Sequence, residues 1–126
     1  MTDIQNREHI VVLINAFYEK VREDTSIGPF FSEVKKVNWE KHLPVMYDFW
    51  ESTLFYKQVY QGNPMKAHLD LHGDSPLKKE HFDKWQLLFK TTVDEHFQGE
   101  NAELIKNRAT SIATAIQVKI YQMGQR

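Results

Sequence analysis

Apolar residues recur every three to four positions through almost the whole of this 126-residue chain, and nowhere do they alternate as a half-buried strand requires. That rhythm restricts the fold to helices laid against one another. Over about 7–24 the stripe is Ile10, Leu13, Ile14, Phe17, Tyr18 and Val21, the series of an amphipathic helix. "TSIGPFF" interrupts it, because Gly28 and Pro29 do not easily continue a helix, and it leaves Phe30 and Phe31 on an irregular corner. From Asn38, a candidate N-cap, a second helix carries Trp39, His42, Leu43, Met46, Phe49, Trp50 and Leu54. Pro44 predicts a kink or a distorted first turn beside His42, since it has no N–H for the carbonyl four residues back. Gly62, Asn63 and Pro64 break the chain again, and 65–72 forms a short helix of about two turns before "GDSP". Ser75 as N-cap and Pro76 at the first helical position predict a third long helix through Leu77, Phe82, Trp85, Leu88, Phe89, Val93 and Phe97, closed by Gly99. A fourth spans about 101–123 with Leu104, Ile105, Ala109, Ile112, Ile116, Ile120 and Met123, and Gly124 terminates it. The expectation is an all-α chain, one domain over 1–126, with no repeat or linker to divide it.

Charge and composition remove whole classes of function. Sixteen Lys and Arg against seventeen Asp and Glu leave a formal charge of −1, with neither sign in a long block, so neither nucleic acid nor a membrane surface is an expected partner. There is no cysteine, which excludes disulfides, thiolate metal sites and covalent haem attachment. The opening segment is polar, then amphipathic and broken by Asn15, unlike a signal peptide, and no apolar run approaches the ~20 residues of a membrane span. A soluble cytoplasmic protein is expected. Aromatic residues make up 13% of the chain, enough for a substantial core.

Six histidines carry what chemistry the chain offers. His9 and His96, beside Glu8 and Glu95, read as surface residues, and His81 carries no specific signal. His42 falls on the stripe with Trp39, Met46 and Trp50, and His68 lies among Ala67, Leu69 and Leu71, so both are expected to be buried. A buried imidazole needs a partner for each ring nitrogen, and a metal is one way to supply it; a backbone carbonyl near Pro44 is another for His42. In "KAHLDLH" His68 and His72 stack at i and i+4, yet a zinc site needs a further ligand, and neither H-E-x-x-H nor cysteine is present. No histidine follows a Glu by three residues, as a di-iron bundle requires, and there is no G-x-S-x-G element of a nucleophilic hydrolase. Two readings remain: an aromatic core with no further role, or a single imidazole on a haem iron with apolar walls on both faces of the ring.

Four segments in register, "AFYEKVREDTSIGPFF", "WEKHLPVMYDFW", "KAHLDL" and "HFDKWQLLF", make residues 8–122 closely resemble the truncated haemoglobins of the third, bacterial group. The two glycine-pair motifs usual in the first two groups are missing. The resemblance implies a two-over-two helical sandwich around haem b, with His68 as the proximal iron ligand. It implies Tyr18, His42 and Trp85 on the distal, gas-binding side, Phe31 packed on the ring near the corner, and Met46, Phe49 and Trp50 as apolar distal-helix residues. His42 would add a third donor or swing as a gate. Basic partners for the haem propionates are not singled out by the residues, Lys66 included, and Asp70, two positions beyond His68, points away from its second ring nitrogen. His72, just before Gly73, reads as a helix-terminal residue. The implied function is binding of dioxygen or another diatomic ligand by a monomer. A haem enzyme that consumes nitric oxide or peroxide, with a reductase as partner, is the alternative.

Overall fold

The computed structural model describes residues 1–56, 68, 71–73 and 75–124, and among them there is no strand. The break at 62–64, Lys66 and Asp70 lie outside the described residues. Helix α1, Arg7–Glu23, buries the anticipated stripe of Ile10, Leu13, Ile14, Phe17, Tyr18 and Val21. Each such large side chain withdrawn from water contributes about 1.5–3 kcal/mol, so α1 is held by its buried face more than by its own hydrogen bonds. Its ends are closed chemically: the Asn6 side chain accepts from the His9 N–H at 3.0 Å, Glu8 lies in the first turn, and Lys20 and Arg22 lie in the last.

Asp24 turns the chain. One carboxylate oxygen accepts from the Ser26 N–H at 2.8 Å, the Ser26 hydroxyl at 2.6 Å and the Ile27 N–H at 3.0 Å, and the other takes an ion pair from Lys84 at 3.3 Å. Burial alone would raise its pKa, but these donors together lower it to about 2. Gly28 then passes so close to α1 that a Cβ would stand 3.0 Å from the Val21 carbonyl oxygen. The corner beyond it, anticipated only as irregular, is a π-helical turn, Phe30–Val34, in which the Lys35 N–H reaches back to the Phe30 carbonyl at 3.1 Å.

Helix α2, Trp39–Phe55, starts at Asn38 as expected, the Asn38 side chain accepting from the Glu40 N–H at 3.1 Å. It runs continuously through Pro44, whose cost there is the one hydrogen bond that residue 44 cannot give to the Glu40 carbonyl. Helix α3, Lys79–His96, begins later than Ser75 and Pro76 suggested. The reason is local. Residues 75–78 satisfy their N–H groups outside a helix: Ser75 donates to the Leu71 carbonyl, Pro76 has no N–H, Leu77 donates to the Nδ1 of His72 and Lys78 to the Nδ1 of His81, both at 2.9 Å. The helix also stops at the Phe97 C-cap, before Gly99.

Helix α4, Glu100–Gly124, is capped from a distance. The carboxylate of Asp3 accepts from the N–H groups of Asn101 and Ala102 at 2.9 Å each, and the Asn101 amide donates to the Ile4 carbonyl at 2.7 Å. Gly99 has φ +146°, and a Cβ there would lie 2.4 Å from the Asp3 carboxyl carbon, so only glycine lets this carboxylate in. Helix α1 packs on α2 and α3, α3 on α4, and α2 on α4, giving two helix pairs stacked on one another. At the centre Phe89 stacks on Trp50 at 4.8 Å and on Trp85 at 5.7 Å, while Phe17 meets both Phe89 and Trp85 edge-on.

Candidate functional site

The stacked pairs leave a cleft, with about 1030 Å³ of empty space between its walls and out through its mouth. Every described element reaches it. Tyr18 enters from α1, Ile27, Phe30 and Phe31 from the corner, and His42, Met46, Phe49 and Trp50 from α2. His68 and Leu71 come from the short helical stretch, Leu77 from the connector, His81, Phe82 and Trp85 from α3, and Ile112, Ala113 and Ile116 from α4. The walls are almost wholly apolar, and the polar groups are few: one phenol, two indoles and three imidazoles. That is the composition of a site for a large, flat, mostly apolar ligand oriented by a few convergent groups.

One side of the cleft is an aromatic cluster. The Tyr18 ring lies 5.9 Å from Phe31, 5.3 Å from Trp39 and 5.4 Å from His42, and Trp39 in turn stacks on Phe31 at 5.7 Å. The Arg22 guanidinium covers Trp39 from outside at 5.1 Å. The wide turn of the corner and the first turn of α2 bring Phe31, Trp39 and His42 onto α1 together. Tyr18 is 6% exposed, and burial pushes its pKa up, so the hydroxyl keeps its proton. It engages in no side-chain hydrogen bond among the described residues.

His42 is the anomaly. Its Nε2 is buried and has no hydrogen-bond partner among the described residues. A carbonyl beside Pro44 therefore does not satisfy that nitrogen. Its pKa is lowered, first by burial and second by His68, which places the two imidazoles within electrostatic reach of each other and keeps His42 neutral at physiological pH. An orphaned polar atom in an apolar cleft is a costly feature that a ligand would relieve.

Of the sequence-based site residues, Tyr18, Phe31, His42, Met46, His68 and Trp85 all line this one cleft, as do Phe49 and Trp50. His72 does not; its Nδ1 accepts the Leu77 N–H at the end of the short helix. His96 is exposed, but His9 is half-buried rather than free at the surface, accepting from the Gln5 N–H with its ring 5.4 Å from Phe97. Sequence reasoning missed His81, which lines the cleft, and Trp39, which backs His42. Only the position of Trp39 on the α2 stripe could have pointed to it.

The residues fit a haem. Among the described residues no three His, Cys, Asp or Glu side chains converge as a metal cage, so a metal here must bring most of its ligands with it, as a porphyrin does. His68 is an imidazole at the cleft wall, the apolar walls suit a macrocycle, and the Tyr18 ring lies 5.4 Å from that of His42, whose Nε2 is the orphaned atom.

Comparison with known proteins agrees. Residues 3–118 match the bacterial-like globin family. A group 3 truncated haemoglobin of Campylobacter jejuni is 34% identical over 122 residues, covering 94% of each chain. The crystal structure of the group III truncated haemoglobin from Campylobacter jejuni superposes with a TM-score of 0.86 at 32% identity, covering 98% of each chain. With its two stacked helix pairs and an apolar cleft between them, the chain belongs to the bacterial-like globins, within the group III truncated haemoglobins.

Proposed function

We propose that the cleft binds haem b with His68 as the proximal iron ligand, and that Tyr18, His42 and Trp85 hold dioxygen or a similar diatomic ligand on the distal side. The observation that carries this reading is the buried Nε2 of His42, without a partner among the described residues, in the same apolar cleft as His68. When bound, haem supplies a ferrous centre that takes up diatomic gases and shifts negative charge onto them. The chain's own residues then decide how long the gas stays. The Tyr18 O–H and Trp85 indole N–H are donors, and His42, kept neutral, presents one N–H. In surroundings walled by Phe31, Met46, Phe49 and Leu71, water is excluded and such bonds strengthen. Two donors at about 1.5 kcal/mol each slow gas release roughly 100-fold, which favours retention or chemistry over delivery. The reading is of a monomer acting in the cytoplasm, with any reductase as a separate partner.

The experiment is the absorption spectrum of the purified protein. A Soret band is expected in wild type, with loss or change of axial ligation in His68→Ala. Unchanged ligation in that variant overturns the proximal assignment, and a wild type with no Soret band overturns haem binding. Stopped-flow mixing with dioxygen, nitric oxide and peroxide then separates slow gas release without turnover from catalytic consumption.

A further inference from the structure

His81 is the cleft histidine left without a task. It sits in the first turn of α3, and its Nδ1 accepts the Lys78 N–H at 2.9 Å. That bond occupies the Nδ1 lone pair, so in the neutral ring the proton resides on Nε2. The ring stands edge-on to Phe30 with centroids 4.9 Å apart, which fixes its plane. Its side chain is 16% exposed, and it lines both the cleft and a neighbouring surface depression that includes Ser26, Ser75 and Lys78. His81, with Phe30, therefore stands on the wall shared by the apolar cleft and a depression at the surface. The Glu80 carboxylate is 4.0 Å from Nε2, beyond hydrogen-bond reach, so it does not claim the N–H.

We propose that His81 donates its Nε2–H to a carboxylate of the haem at the mouth of the cleft; the assignment rests on the haem-binding reading above. Haem is an apolar disc with two ionised carboxylates on one edge. Buried in the cleft they would be prohibitively costly, so that edge must face the mouth, where a donor of fixed direction is worth most. The half-capping contact to Lys78 is what aims the donor. One imidazole thus closes the start of α3 with one nitrogen and grips the cofactor with the other.

Asparagine and glutamine separate the two roles, because the Asn amide oxygen stands near the place of Nδ1 and the Gln amide nitrogen near the place of Nε2. His81→Asn keeps an acceptor for Lys78 and loses the donor; His81→Gln does the reverse. The measurement is haem transfer to excess apomyoglobin, followed by absorbance, with native haem and with haem dimethyl ester in each of the three proteins. With native haem, His81→Asn is expected to release it about tenfold faster than wild type, the low end for a charge-assisted hydrogen bond, and His81→Gln close to wild type. With the dimethyl ester the three rates are expected to converge. A wild-type rate for His81→Asn with native haem, or a difference that persists with the ester, overturns the assignment. A wild type that takes up no haem overturns the underlying reading, and the assignment with it.

Discussion

Tyr18 and Trp85 reach the cleft from different helices and share one support, Phe17, whose ring lies 4.9 Å from Tyr18 and 5.8 Å from Trp85; a phenylalanine at position 18 keeps that packing, so the two donors can be removed one at a time. Tyr18→Phe and Trp85→Phe are each expected to raise the dioxygen dissociation rate about tenfold in stopped-flow mixing, and the double variant roughly 100-fold. Tyr18→Phe removes an oxygen that engages in no described side-chain hydrogen bond and leaves the ring packing on Phe17, Phe31 and Trp39 in place. Its thermal midpoint should therefore hardly move. A large fall in stability with an unchanged dissociation rate would make Tyr18 a core residue only. At this scale, much of the site was legible: Tyr18, His42, Met46 and Trp85 all sit on apolar stripes, where a polar or oversized group is conspicuous. His81 was not. Its task depends on the Lys78 N–H lying outside the helix, a fact of backbone geometry that residue type does not announce.

Helix ends show where local pattern suffices and where it fails. Asn38 caps α2 through its neighbour Glu40, and the cap was readable because both partners lie within three positions. The start of α3 was misplaced because Ser75 and Pro76 carry the usual start signals, while His72 and His81 satisfy the N–H groups of Leu77 and Lys78 instead. Asp24 is the element-scale test case, since it ties the end of α1 to the corner and, through Lys84, to α3. Its pKa in the folded chain, about 2, lies below the ordinary carboxylate value of 3.8. Its contribution to stability is thus complete above pH 4 and is lost as pH falls through 2. Asp24→Asn should be less stable than wild type by about 1 kcal/mol at pH 7 in urea unfolding, with the gap closing as acid protonates the wild-type carboxylate. A gap that stays constant from pH 7 to pH 2 would show that the ionised form has no special role there.

Across the whole molecule, the excess of aromatic residues serves two ends that composition alone could not separate. Trp50, Phe89 and Phe17 form the central stack, and the same stack holds the Trp85 ring at the cleft. A ligand that binds only the folded chain adds RT ln(1 + [L]/Kd) to its stability, so haem loading should raise the thermal midpoint measurably. The longest-range feature has a different consequence. Asp3 caps α4 across 98 positions of sequence, a loop whose closure costs entropy before the contact returns anything. Such a contact is expected to form late in folding, after the helices have docked. Asp3→Ala is expected to leave the folding limb of the chevron in place and speed unfolding about fivefold, as the loss of a cap worth about 1 kcal/mol requires. Slower folding in that variant would instead mean that Asp3 and the start of α4 meet early. On a ribosome Asp3 emerges 98 positions before Asn101, so the cap that fixes the start of α4 can close only after α1, α2 and α3 have all been made.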